Sequence, residues 1–179
     1  MSDKLSLSGL NQLNPAEFHE TFRNVIESWP EGATRIAQLL PFTSVNHLVE
    51  AFDAYLDGIE TSAKRKILHL HPDLAGKLAE EKKLTDDSAS EQASVGLDRL
   101  EAPQKLKLLQ MNELYAKKFG FPFVICVREC NRFDGILERV LARLNHSPEL
   151  ELNISIDEVK RICRLRIADI VNLNDTSTY

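Results

Sequence analysis

Apolar side chains recur at helical spacing along most of this chain, and this periodicity constrains the fold more than any other feature. The first stripe follows a helix-capping sequence, Asn14-Pro15-Ala16-Glu17, and its members are Phe18, Phe22, Val25, Ile26 and Trp29. A second stripe begins after Ser44 and ends at Gly58. Spacing of this kind collects apolar residues on one face of an α-helix, so the sequence predicts an all-α protein.

The predicted helices are bounded by proline, glycine and capping residues. They cover residues 14–29, 33–40, 44–58, 62–70, 88–100, 103–119, 133–144 and 147–170. Gly120 is expected to cap the helix that precedes it. Residues 77–87 are dense in charge, which is typical of a solvated surface segment. A length of 179 residues suggests one domain over residues 1–179.

One apolar stretch breaks the helical pattern. The sequence Phe121-Pro122-Phe123-Val124-Ile125-Cys126-Val127 contains β-branched residues and a proline, but no second stretch of similar strength exists to pair with it as a strand. We therefore expect a short, buried, extended segment within a helical protein. Its backbone N–H and C=O groups need partners, and a polar ligand is one candidate.

A histidine stands at the end of the predicted helix 62–70. Pro72 disfavours helical geometry at the residue before it, so His71 is expected to end the helix and to be held beside a rigid ring. Gly76 then permits a tight or left-handed step. Such a histidine suits acid–base chemistry near neutral pH, although a solvated histidine at a helix corner fits the same pattern.

The stretch Ser88-Ala89-Ser90-Glu91-Gln92 also supports two interpretations. Ser88 and Glu91 match a capping box, in which the serine caps a helix and the glutamate reaches back to it. A helix N-terminus equally offers N–H groups to a polar or anionic ligand. With the carboxylate of Glu91 and the amide of Gln92, this stretch could grip a urea-like group.

Composition excludes several classes of partner. There are 22 Lys and Arg residues against 27 Asp and Glu residues, and the net charge of −5 argues against nucleic acid or an anionic membrane. No apolar run approaches the roughly 18 residues of a membrane span. Cys126, Cys130 and Cys163 form no even disulfide framework, so buried thiols in a reducing compartment are expected. Because no secretory signal is visible, a cytoplasmic location is expected.

Several motifs together carry a family resemblance. They are His71-Pro72-Asp73-Leu74-Ala75-Gly76-Lys77, Leu84-Thr85-x-x-Ser88-x-x-Glu91-Gln92, Gly96-Leu97-Asp98-x-Leu100, and the run that begins Asn112-x-x-Tyr115-x-x-Lys118-Phe119-Gly120 and continues to Arg128. In order and spacing, the chain from about Leu10 to about Leu173 resembles the 2-oxo-4-hydroxy-4-carboxy-5-ureidoimidazoline (OHCU) decarboxylases.

This resemblance implies an all-α multi-helix fold, a small ureidoimidazoline carboxylate as substrate, no cofactor, no metal, and (S)-allantoin and carbon dioxide as products. It also implies a homodimer, which surplus apolar positions on the later helices favour. His71 and Glu91 are the predicted catalytic residues. The predicted substrate-binding residues are Pro72, Ser88, Ala89, Ser90, Glu91, Gln92, Phe123, Val124, Ile125, Cys126 and Val127.

Two rival hypotheses belong to other classes. A non-catalytic helical interaction module would leave His71 as a corner residue and would not bring the three stretches together. A metal-dependent hydrolase built on His69, His71 and Asp73 is weaker, because other ligands are not evident nearby and Pro72 restricts the geometry.

Overall fold

The computed structural model describes residues 4–130 and 132–172, and within them it confirms the all-α prediction. The α-helices are α1 (Leu7–Gln12), α2 (Pro15–Phe22), α3 (Pro30–Ile36), α4 (Val45–Gly58), α5 (Thr61–Leu70), α6 (Lys77–Glu80), α7 (Asp86–Ser94), α8 (Ala102–Phe119), α9 (Phe133–Arg143) and α10 (Pro148–Ile170). Short 3₁₀ helices cover Ala37–Leu39, Leu97–Arg99 and Val127–Glu129. These residues contain no strand, and their one β-type pairing is an isolated bridge between Leu5 and Val171.

The described residues divide into two compact units. Unit 1 contains residues 4–61 and 160–172, and unit 2 contains residues 62–130 and 132–159. All the predicted site residues belong to unit 2. The single domain expected over residues 1–179 stays a prediction.

Unit 1 differs from the sequence prediction at its first helices. The helix expected over residues 14–29 ends at Phe22, and Pro30 begins the next helix instead of only ending the previous one. Proline suits the first position of a helix, because the N–H that it lacks would have no partner there. The helix expected over residues 33–40 is α3 followed by the 3₁₀ helix Ala37–Leu39.

A buried ion pair stabilises unit 1. Arg166 Nη1 lies 2.8 Å from Glu27 Oε2 and donates to Asn24 O at 2.8 Å. Arg166 is only 3% exposed, although it is a charged residue. Its place on the apolar stripe of α10 brings the guanidinium inside, where Glu27 balances its charge.

The core of unit 2 contains an aromatic cluster at the junction of α8 and the extended segment. The ring of Tyr115 lies 4.6 Å from that of Phe119 and 5.0 Å from that of Phe123, centroid to centroid. Gly120 caps α8 in the left-handed conformation, with φ 76°, as predicted. The chain then enters the buried, extended segment 121–127, which confirms that prediction also.

Helix α7 begins two residues earlier than predicted. Its cap is Thr85, whose hydroxyl oxygen accepts from the N–H of Ser88 at 3.2 Å, so the interpretation of Ser88 and Glu91 as a capping box is wrong. Thr85 caps as Ser88 would, and Asp86 and Asp87 suit the positive N-terminal end of the helix. The charged segment 77–87 is largely exposed, but it includes the one-turn helix α6.

Cys126, Cys130 and Cys163 are buried free thiols, as predicted. None of the helices in the described ranges is both long enough and apolar enough to cross a membrane.

Candidate active site

His71 lies immediately after α5, as the sequence predicted. Its backbone N–H donates to Leu68 O at 3.2 Å, and the residue is 6% exposed. Pro72 follows and is partly exposed. The histidine is therefore held at a helix end and buried, and the solvated corner considered from the sequence is wrong.

The turn after Pro72 contains a left-handed residue, but at a different position from the one expected. Ala75 has φ 49°, whereas Gly76 has φ −84°. Gly76 is needed for another reason, because a Cβ atom there would lie 2.7 Å from Asp73 Cβ. Burial holds this turn in place, since Leu74, Ala75 and Gly76 are all buried.

Helix α7 presents two different faces. Ser88 and Gln92 are buried and Glu91 is partly exposed, and these residues share one face through their i, i+3 and i+4 spacing. Ala89 and Ser90 are exposed. The N–H of Ala89 donates to Thr85 O at 2.9 Å, so it is already bonded within the helix. Assignment of Ala89 and Ser90 as substrate contacts stays a prediction.

The three predicted stretches meet in unit 2. The N–H of Ala75 donates to Gln92 Oε1 at 2.9 Å, which joins the turn after His71 to α7. Helix α7 also packs against the 3₁₀ helix Val127–Glu129 at the end of the extended segment. The non-catalytic hypothesis predicted that the stretches would stay apart, and the structure does not support it.

Side chains from other helices hold the backbone of the extended segment. Arg143 Nη1 donates to Val124 O at 2.8 Å, and the N–H of Cys126 donates to Glu158 Oε2 at 2.9 Å. None of the hydrogen bonds among residues 4–130 and 132–172 involves the backbone of Ile125, which is buried. Its N–H and C=O groups are open to a polar ligand, and so are those of Phe123, a buried residue whose backbone likewise makes no hydrogen bond within these residues.

The electrostatics of the segment place acidic groups around Cys126. The pKa of its thiol is raised to about 12, chiefly by burial and also by the carboxylates of Glu129, Glu158 and Glu91, while a backbone hydrogen bond opposes the increase. The influence of Glu91 on Cys126 is a second indication that α7 faces this segment. The thiol stays neutral at physiological pH, so it is not a nucleophile.

A cavity of about 470 Å³ adjoins α7 and the turn after Pro72, and the predicted site residues Ala89 and Gln92 line it. Its lining includes Ala75, Ala89 and Gln92, together with Asp86 and Lys105. Among the described residues that line it, His71, Ser88 and Glu91 do not appear. Asp86 and Ala89 are three residues apart and face away from Ser88 and Glu91, so this cavity is not where the predicted catalytic groups converge.

The metal hypothesis finds no support in the geometry. Within the described ranges, no three His, Cys, Asp or Glu side chains lie close enough together to hold a metal ion. His69 and Asp73 are exposed, whereas His71 is buried.

Comparison with known proteins decides the family. The OHCU decarboxylase family model matches residues 11–168. The chain belongs to the OHCU decarboxylase family. The 2-oxo-4-hydroxy-4-carboxy-5-ureidoimidazoline decarboxylase of Amia calva is 36% identical over 97% of this chain and 99% of its own length. The protein of the same name from Xenopus laevis is 38% identical over 93% of this chain and 94% of its own.

A solved structure shares the fold of this family member. The crystal structure of OHCU decarboxylase in the presence of (S)-allantoin superposes with a TM-score of 0.67 and covers 83% of this chain and 96% of that one. Its sequence identity is 23%, so the comparison extends to the fold alone.

The sequence analysis did not identify the buried polar residues whose side chains hydrogen-bond to the backbone of the candidate site. Asn112, Arg143 and Glu158 are each about 5–6% exposed and each bonds to the backbone of a predicted site stretch or of the turn after it. Asn112 follows Leu108 by four residues on the buried face of α8. A polar residue at a buried position of a helical stripe was the signal that could have identified it.

Proposed function

We propose that this chain catalyses the decarboxylation of 2-oxo-4-hydroxy-4-carboxy-5-ureidoimidazoline to (S)-allantoin in urate catabolism. Family membership over residues 11–168 supports the reaction, and so do the names of the relatives from Amia calva and Xenopus laevis. The observation that carries the proposal is the junction of three stretches in unit 2, made by the Ala75–Gln92 hydrogen bond and the packing of α7 on the end of the extended segment.

The substrate supplies its own electron sink. Its carboxylate is attached to the hydroxyl-bearing ring carbon, beside a C=N bond. When the bond to the carboxylate breaks, its electron pair forms a C=C bond between the two ring carbons, and the former imine nitrogen takes up the displaced pair and a proton. The hydroxyl group then loses its proton to become a carbonyl, and the carbon that bears the ureido group gains one. We therefore propose that neither a cofactor nor a metal takes part.

The protein must orient this substrate and move protons on one face of it. We assign the acid–base role to His71, which is held at the end of α5 and buried. Glu91 accepts N–H groups of the ureido arm. Gln92 has its oxygen engaged by Ala75, so its Nε2 group is the part that donates to the ureido carbonyl.

The extended segment binds the remaining polar atoms of the substrate. Ile125 offers its N–H and C=O, while Val124 O and Cys126 N–H serve to fix the segment to Arg143 and Glu158. Phe123 and Val127 bound this segment with buried apolar side chains. Excluding water in this way strengthens the polar contacts within the site.

Assembly and location are part of the same proposal. Exposed leucines on the later helices of unit 2 favour a homodimer, namely Leu106, Leu109, Leu114, Leu141 and Leu150. Light scattering at micromolar concentration tests it, and a monomer would contradict it. Three free thiols are consistent with the proposed cytoplasmic location.

The experiment that tests the proposed function follows the decay of freshly generated substrate with and without protein. The wild-type protein should accelerate the decay, and His71→Asn should lower the catalysed rate by about 10²- to 10⁴-fold, the usual contribution of a general acid–base group. Circular dichroism and thermal unfolding verify that the variant is folded. A folded His71→Asn variant with near wild-type turnover would contradict the assignment of His71.

A further inference from the structure

The peptide group between Leu74 and Ala75 is held at both of its polar atoms. Its C=O accepts from Asn112 Nδ2 at 3.0 Å, and its N–H donates to Gln92 Oε1 at 2.9 Å. Asn112 and Gln92 are both 5% exposed. Because the C=O and N–H of a trans peptide point in opposite directions, the two side-chain amides approach this group from opposite sides.

These two hydrogen bonds hold a strained residue. Ala75 has φ 49°, a left-handed conformation that is unfavourable for a residue with a Cβ atom. Turning the Leu74–Ala75 peptide plane through half a turn would change the φ of Ala75 by about 180°, to a negative value, and so remove the left-handed conformation. The present orientation therefore depends on the groups that grip the peptide.

Apart from this contact, the side-chain amide of Asn112 lacks hydrogen-bond partners among the described residues. Its Oδ1 atom is buried and has no hydrogen-bond partner among residues 4–130 and 132–172. A buried acceptor without a partner destabilises a folded protein. The one hydrogen bond that the Asn112 side chain makes within the described residues is to Leu74 O, so holding this peptide is the contribution that accounts for an asparagine here.

The orientation of the Gln92 amide follows from the orientation of the peptide. While the Ala75 N–H points at Gln92, the amide oxygen must face Ala75 and the Nε2 group faces away. If the peptide turned over, Leu74 O would replace the N–H, and Gln92 would have to reverse its amide to donate to it. Gln92 would then present its oxygen where it now presents donors.

We propose that Asn112 is a positioning residue of the active site, which keeps the Leu74–Ala75 peptide in its strained orientation so that Gln92 presents Nε2 to the ureido carbonyl. The proposal rests on the proposed function, and Asn112 acts without touching the substrate. Loss of Asn112 releases the peptide, reverses the Gln92 amide and leaves the ureido arm badly held.

The test compares Asn112→Leu with wild type for kcat, KM and the optical purity of the product. Leucine has a similar size and removes both the donor and the unpaired acceptor. We expect kcat/KM to fall by about 100-fold, the scale of a misplaced binding group. Optical purity is measured with the enzyme concentration adjusted so that every variant exceeds the spontaneous decay by the same factor. It should fall, because a loosely held ureido arm allows protonation on both faces.

Two further variants separate positioning from stability. Ala75→Gly makes φ 49° available without steric strain, so adding it to Asn112→Leu should restore much of the lost kcat/KM and optical purity. Asn11→Leu is the matched control, because Asn11 Nδ2 also donates to a backbone carbonyl, that of Phe42, at 2.8 Å. It should lower the melting temperature without lowering optical purity.

The outcomes are distinguishable from failure of the proposed function. If the wild type gives racemic product at the uncatalysed rate, the function itself is wrong. If the wild type gives (S)-allantoin and folded Asn112→Leu matches it in kcat/KM and optical purity, only the role of Asn112 is overturned. If Asn112→Leu fails to fold, Asn112→Ala replaces it, because alanine also lacks the donor but is too small to overpack the core. Lower kcat/KM and optical purity in folded Asn112→Ala would support the role of Asn112, and wild-type values would overturn it.

Discussion

The backbone N–H of Cys126 donates to a carboxylate oxygen of Glu158 at 2.9 Å, and both groups are buried. A segment without a neighbouring strand thus obtains from α10 one of the hydrogen bonds that a sheet would have supplied. The position of this segment consequently depends on a side chain of another helix.

Replacing Glu158 tests this dependence. Glu158→Ala leaves the Cys126 N–H buried without this acceptor, and we expect a loss of about 1–3 kcal/mol in the free energy of unfolding together with lower activity. Glu158→Gln retains an acceptor oxygen and should therefore lose less stability and less activity. Urea unfolding and turnover measured on the same samples report the effect, and equal losses for the two variants would argue against the hydrogen bond as the cause.

The contributions of Arg143 and Glu151 to the free energy of unfolding should be strongly coupled. Arg143 Nε donates to Glu151 Oε1 at 2.6 Å, both residues are buried, and Tyr115 also bonds to this carboxylate. Arg143→Met would leave the carboxylate without its main counter-charge, which is expected to destabilise the protein by about 3–5 kcal/mol. The double variant Arg143→Met/Glu151→Met should be less destabilised than the sum of the single variants. Additive losses in the double-mutant cycle would contradict this interpretation.

Alkaline pH should destabilise the protein. The pKa of the Cys126 thiol is about 12 in the folded protein, against the ordinary value of 9.0, and burial also raises the pKa of Cys130 and of Tyr115. The unfolded chain therefore releases these protons first. The contribution of these groups to the free energy of unfolding is fully present below pH about 9 and is lost as the pH rises toward 12.

Urea unfolding between pH 8 and 10.5 measures this slope, which a single fully differential proton would set at about 1.4 kcal/mol per pH unit. Cys126→Ala removes one of the groups and should lose less stability over the same range. A free energy of unfolding that stays constant up to pH 10.5 would contradict the raised pKa values.

The sequence predicted those features that local rules determine. The cap at Gly120 requires left-handed geometry, and the end of α5 at His71 follows from Pro72, so both were identifiable without a structure. The segment 121–127 was recognised as extended and buried because its composition excludes an amphipathic helix.

Competition between local signals explains the errors. Thr85 and Ser88 are both residue types that cap helices well, and in the structure Thr85 is the cap. The left-handed step fell on Ala75 instead of Gly76, because buried amides from α7 and α8 stabilise it there. Such long-range contacts with Gln92 and Asn112 depend on tertiary packing, which spacing along the chain does not encode.

The handedness of the product reports directly whether the protein protonates the intermediate on one face. The substrate decays to allantoin without any enzyme, and protonation of the free planar intermediate on either face gives a racemate. In the site that we propose, Glu91, Gln92 and the backbone of Ile125 hold the intermediate so that one face meets His71. A preference of about 2.8 kcal/mol for that face would give roughly 100:1 selectivity. Circular dichroism of freshly made substrate treated with the wild-type protein should show (S)-allantoin in large excess, formed faster than the spontaneous decay. Racemic allantoin formed at the uncatalysed rate would mean that this protein does not catalyse the decarboxylation.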